Sequence, residues 1–189
     1  MSDNSYPTRC FIAIDIPDEI KSGLSALQHS LKRLGASISW TRSEGIHLTL
    51  KFLGNVDQEV IPEVIKSMET VVSDSGSFTV MVEGVGCFPS PHRARVLWVG
   101  LDGGESLITL QKLVEDAMEL VGFPKEERRF HPHLTLGRVR NPHGVDRVVQ
   151  EMQQSGFPRQ EFTASDIRLI KSDLQPSGAV YTMLHSSQL

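Results

Sequence analysis

One four-residue string occurs twice in this chain, as His47-Leu48-Thr49-Leu50 and again as His133-Leu134-Thr135-Leu136. Each copy lies in an alternating stretch, Ile46 to Gly54 and Phe130 to Val139. Period-two alternation is the signature of a half-buried strand. In a strand, His47 and Thr49 share one face while Leu48 and Leu50 share the other, and the second copy divides the same way. The leucines therefore need a core, and the His–Thr pairs point away from it. Such a repeat, in a chain with seven histidines and nine threonines, is improbable by chance. It restricts the fold to two similar lobes, each offering one such strand to a shared cleft.

The remaining pattern fits that frame. Cys10 to Ile16 is a short β-branched run closed by Pro17, which predicts a buried strand. Ile20, Leu24, Leu27, Leu31 and Leu34 recur in steps of three and four, which predicts a helix over 17–34 ended by Gly35. Further helices are expected over 56–73, 105–121 and 143–155. Further strands are expected over 78–88, 94–101, 162–172 and 179–185. Strands cluster rather than alternate regularly with helices. The expectation is therefore an α+β fold of mainly antiparallel sheet, two pseudo-symmetric lobes flanking a central cleft, with residues 1–189 forming one domain.

Composition limits what such a cleft can hold. The formal net charge is −4, whereas proteins that grip long nucleic acid non-specifically carry a broad basic footprint. Only a local cationic site is compatible with this balance. Cys10 and Cys87 form no metal-ligand spacing and no disulfide framework, which fits a reducing compartment. The stretch Met1 to Arg9 lacks the apolar centre of a signal peptide, and no apolar run approaches the ~20 residues that span a bilayer. A soluble, cytoplasmic, monomeric protein is expected.

Two imidazoles and two hydroxyls in one cleft suit the opening of a cyclic phosphodiester. A neutral ring can take a proton from water while a charged ring gives one to the leaving oxygen, and an ordinary histidine reaches both forms near neutral pH. Threonine hydroxyls can donate to the non-bridging phosphate oxygens. The catalytic candidates are His47, Thr49, His133 and Thr135. No metal or other cofactor is expected. His131, His133 and His47 are a possible ligand set, but no Asp, Glu or Cys joins them at a recognisable spacing. By alternation Lys51 should share the face of His47, where it is either a cleft cation or solvated. The basic loop around His92 and Arg93 is a candidate cleft rim.

On these residues the chain resembles the 2H phosphoesterase superfamily, and within it the RNA 2′,3′-cyclic phosphodiesterase family, also called 2′-5′ RNA ligases. The resemblance spans nearly the whole chain. It includes Arg9 to Ile14, Trp40, His47 to Gly54, Arg95 to Leu101 and Phe130 to Val139. It implies a bilobal fold and hydrolysis of a terminal 2′,3′-cyclic phosphate to a 2′-phosphomonoester. It implies His47 as proton donor, His133 as proton acceptor, Thr49 and Thr135 on the phosphate oxygens, and Arg138 as a phosphate-binding residue. Simple alternation puts Arg138 on the leucine face, so that role requires a bulge near Gly137. Phe52 stands at the corresponding place in the first copy.

Three rival readings use the same residues. The first is the reverse reaction, joining RNA ends through a 2′-5′ linkage. The second is a module that holds an RNA terminus without turnover, for which an aromatic content of 6% offers few stacking platforms. The third is a phosphodiesterase for a small cyclic nucleotide.

Overall fold

The computed structural model describes residues 7–73, 75–175 and 178–189. The elements run β1 (Thr8–Asp15), α1 (Asp18–Lys32), β2 (Ile38–Trp40), β3 (His47–Val56), α2 (Ile61–Ser73), β4 (Phe78–Phe88), β5 (Val96–Asp102), α3 (Gly104–Leu120), β6 (His133–Val139), α4 (Val145–Ser155), β7 (Gln160–Ala164), β8 (Asp166–Gln175) and β9 (Gly178–Gln188). One sheet has the order β3-β1-β8-β9 and the other β2-β6-β5-β4-β7. Every paired strand is antiparallel. This is the expected two-lobed α+β fold.

Local chemistry sets the element boundaries. α1 buries Ile20, Leu24, Leu27 and Leu31 on one stripe and opens with Asp18 and Glu19, whose charge suits a helix N-terminus. It closes through Gly35 at φ 75°, whose amide donates to Lys32. α2 begins later than its pattern predicts, because Val56 still pairs with Thr8 in the sheet and Asp57 starts a turn into the helix. β6 begins at His133 rather than Phe130, since Pro132 has no amide hydrogen for a ladder. The expected single strand over 162–172 is two strands in different sheets. Phe162 and Ala164 enter the core from one sheet and Ile167 and Leu169 from the other, and the chain crosses over at Ser165.

The helices cross over as well. α1 follows β1 but lies with α4 beneath the other sheet, where Gly23 packs against Phe157. α3 follows β5 but packs on α2 and on β3. One continuous apolar core results, containing Ile12, Leu48 and Met68 from one side and Leu97, Leu134 and Val148 from the other.

Candidate active site

The two repeated motifs fold into the same irregular strand. Along β1 the partner on β3 jumps from Lys51 at Ile12 to Thr49 at Ala13, so Leu50 is an extra residue. Along β5 the partner on β6 jumps from Gly137 at Leu97 to Thr135 at Trp98, so Leu136 is extra. A bulge of this kind shifts the side-chain alternation by one position. His47 and Thr49 lie half-buried on one face with Leu48 and Leu50 in the core, and His133, Thr135, Leu134 and Leu136 repeat that division. Beyond each bulge the faces exchange.

That exchange decides two expectations. Arg138 joins the face of His133 and is exposed, paired in register with Val96. Lys51 does the opposite of what strict alternation predicts. It turns into the core at 4% exposure, so it is neither a cleft cation nor solvated. Phe52 takes the place on the histidine face, with 65% of its surface exposed and its ring 6.0 Å from that of Phe11. Gly137 has the position matching Lys51. A side chain there would meet Ile38 at 2.8 Å, which explains the glycine where β2 passes close by.

Each bulge is held from the other half of the chain. The buried amide of Gln28, on α1, donates to the carbonyls of Thr41 and Leu136, both at 2.8 Å. Leu136 is the extra residue of the second bulge. At the first bulge Lys51 Nζ donates to Glu115 Oε2 of α3 at 2.5 Å and to the Pro124 carbonyl at 2.8 Å. Glu115 also accepts from Gln111 Nε2 and from the Glu126 amide, both at 3.2 Å. The buried carboxylate is thus paired and hydrogen-bonded, the condition for tolerating charge in a core.

The histidines sit in matching aromatic settings. The His47 ring stacks on Phe11 at 4.5 Å and meets Tyr181 edge-on at 5.3 Å. The His133 ring meets Phe88 edge-on at 5.1 Å, with Trp98 at 6.4 Å. Burial pushes the His47 pKa down to about 4, outweighing the attraction of Asp15. Asp15 is itself held below the usual carboxylate range: burial opposes this, but Lys21 at 2.7 Å and Arg168 at 2.6 Å prevail. Burial also lowers His133, with Arg138 and His131 adding to the effect against a hydrogen bond at its Nδ1.

That bond fixes the tautomer. His133 Nδ1 lies 2.7 Å from the His131 carbonyl oxygen, which can only accept. Nδ1 therefore carries the hydrogen, and Nε2 of the neutral ring presents a lone pair. The two half-sites meet electrostatically at Arg138, which acts on both His133 and Tyr181. No carboxylate pairs with Arg138 among the described residues.

The other candidates stand outside this arrangement. His92 and Arg93 are exposed on a single turn of 3-10 helix that follows Phe88. His131 is exposed at 6.2 Å from the Phe88 ring, and among the described residues no three His, Cys, Asp or Glu side chains converge as metal ligands. Sequence reasoning missed the aromatic settings of both histidines, Gln28 and Glu115. Phe11 and Trp98 lie in stretches that carry the family resemblance, but only the register places them against the histidines.

Comparison with known proteins gives the family and the fold. The family model for the 2′-5′ RNA ligase superfamily matches residues 16–176. The RNA 2′,3′-cyclic phosphodiesterase of Thermotoga maritima is 33% identical over 181 residues, 95% of each chain. That of Methanothermobacter thermautotrophicus is 31% identical, covering 92% of this chain and 95% of its own. The crystal structure of TT0787 of Thermus thermophilus superposes with a TM-score of 0.80 at 26% identity, covering 96% of this chain and 97% of that one. With its fold, its paired motifs and a match over most of its length, the chain belongs to the 2′-5′ RNA ligase superfamily.

Proposed function

We propose that this protein is a hydrolase that opens the 2′,3′-cyclic phosphate at an RNA terminus and leaves a 2′-phosphomonoester. Water attacks phosphorus, its proton passes to His133 Nε2, the P–O3′ bond breaks, and His47 protonates the departing O3′. The hydroxyls of Thr49 and Thr135 and the guanidinium of Arg138 hold the non-bridging oxygens. The single observation that carries this reading is the tautomer of His133. A ring kept neutral by burial, with Nδ1 committed to the His131 carbonyl, presents its lone pair as a base must.

His47 needs the complementary state. Its pKa is too low to hold a proton in the free protein at neutral pH. A bound phosphate anion beside the ring favours the charged form, so substrate itself arms the acid. Phe52 offers its exposed ring to the nucleobase, the sequence-tolerant contact that RNA-end recognition needs. The relatives named as RNA 2′,3′-cyclic phosphodiesterases make this the substrate class of choice. No described helix is long and apolar enough to cross a membrane. The buried free thiols Cys10 and Cys87 suit a reducing cytoplasm, and we infer that the protein works there as a one-domain monomer.

The test is hydrolysis of an oligoribonucleotide ending in a 2′,3′-cyclic phosphate, in EDTA, by the wild type, His47→Ala and His133→Ala. The expected product carries a 2′-phosphate, and each variant loses about 10²–10⁴ in rate. A 3′-phosphate product, or full activity in either variant, would refute the assignment.

A further inference from the structure

We infer that Arg9, with Asn55 beside it, forms a second phosphate subsite that takes the phosphodiester on the 5′ side of the terminal nucleotide. The protein thereby acts on RNA chains in preference to mononucleoside cyclic phosphates. This rests on the proposed cyclic phosphodiesterase reading and names its substrate class more closely.

The argument begins with register. On the histidine face of this sheet, β3 presents His47, Thr49 and Phe52 and, past a second register shift that leaves Leu53 extra between the Phe11–Phe52 and Cys10–Gly54 pairs, Asn55, opposite Asp15, Ala13, Phe11 and Arg9 of β1. The reacting phosphate belongs at the histidine end, and the exposed Phe52 ring lies midway. Arg9 and Asn55 form the next row beyond it, both exposed and directly paired. A nucleotide with its cyclic phosphate at the histidines and its base over Phe52 directs its 5′ oxygen away from the histidines, toward that row.

Charge singles out the same residue. Arg168 also stands on this face, paired with Ala13, but it is bonded to Asp15 at 2.6 Å and to Asp166 at 2.7 Å. Arg9 has no carboxylate partner among the described residues. Tyr181 lies under the influence of two guanidinium groups, Arg138 and Arg9, which oppose the rise that burial imposes on its hydroxyl. One arginine serves the reacting phosphate and the other is left over. In a chain of net charge −4, an arginine with no carboxylate partner among the described residues, on the histidine face, is the local contact that general attraction to RNA does not supply.

The experiment compares kcat/KM for a mononucleoside 2′,3′-cyclic phosphate and for a dinucleotide with the same 3′ end, across a range of salt. It uses the wild type, Arg9→Ala and, as control, Arg140→Ala, an exposed arginine just past β6 of the other sheet that donates to Ser39 Oγ. The wild type is expected to prefer the dinucleotide. Arg9→Ala is expected to lose roughly 10-fold on the dinucleotide, through KM, and nothing on the mononucleotide. Its log–log salt slope on the dinucleotide should flatten by about 0.7, one phosphate contact on a single strand. Equal losses on both substrates, no loss on either, or loss of the preference in Arg140→Ala instead would overturn the subsite. A wild type that hydrolyses neither substrate would fail the parent reading, a result independent of Arg9, and would take the subsite with it.

Discussion

Phe52 and Arg138 occupy the same position in two copies of one bulged strand, each three residues beyond the motif threonine and each turned to the histidine face. The repeat is thus symmetric in backbone and asymmetric in chemistry. One half presents an aromatic ring and the other a guanidinium, which is what a site needs if it is to tell the base end of a nucleotide from its phosphate end.

Arg138 is expected to act on the charge that develops at phosphorus. Arg138→Ala should lower kcat/KM by about 10²–10³, the scale for removing one preorganised donor from a transition-state oxyanion. Arg138→Lys restores the charge but not the planar fork and should recover only part of the loss. Steady-state kinetics on one cyclic phosphate substrate reads both. Near-wild-type rates in Arg138→Ala would leave the arginine as a solvated strand-end residue.

Phe52 should show the opposite signature. Base–aromatic stacking is worth ~1–3 kcal/mol, so Phe52→Ala is expected to raise KM by about 5- to 150-fold with little change in kcat. Phe52→Trp should preserve binding. Ribose 2′,3′-cyclic phosphate lacking a base is the control, since its KM should not respond to Phe52→Ala. An equal response would mean that the ring shapes the cleft rather than holding the base.

The buried imidazoles tie stability to pH. An unfolded histidine takes a proton near its ordinary pKa of about 6.5, whereas native His47 does so only at about 4. Between those values the unfolded state binds more protons, so stability falls as pH drops through that window. The loss attributable to His47 is on the order of 3 kcal/mol, and the lowered His133 adds in the same direction. Urea unfolding at pH 7 and pH 4.5 should show this drop in the wild type and a smaller one in His47→Gln. Equal drops in the two proteins would mean that the native ring takes its proton as readily as the unfolded one.

Much of this was legible in the sequence, and what was not has one cause. The Leu48–Leu50 and Leu134–Leu136 alternation identifies the core faces and hence the histidine faces, because burial imposes period two on a strand. Alternation fails at Lys51, because a bulge is a property of the pairing and not of the strand alone. Gly137 hinted at the bulge in the second copy, where β2 leaves no room for a side chain. No glycine marks the first, so nothing local distinguishes Lys51 from a solvated lysine. The break at Ser165 was hidden for a related reason. Two strands in succession read as one when the chain passes between sheets without a turn residue.

The crossed clamps on the bulges make the last prediction. Lys51 and Glu115 are buried together, so removing one leaves an uncompensated charge in the core, at a cost of about 3–5 kcal/mol. Removing both with apolar residues of similar size should return most of that stability, because the desolvation cost of the pair disappears with it. We expect Lys51→Met and Glu115→Leu each to be severely destabilised and the double variant to approach the wild type in urea unfolding. Activity should not follow stability. The ion pair ties the strand of His47 to α3 and, through the Pro124 carbonyl and the Glu126 amide, to the segment leading into His133. A double variant that is stable but slow, with kcat reduced more than KM is raised, would separate the positioning of the two histidines from the stability of the fold. Full activity in that variant would show that the backbone pairing alone holds the bulge.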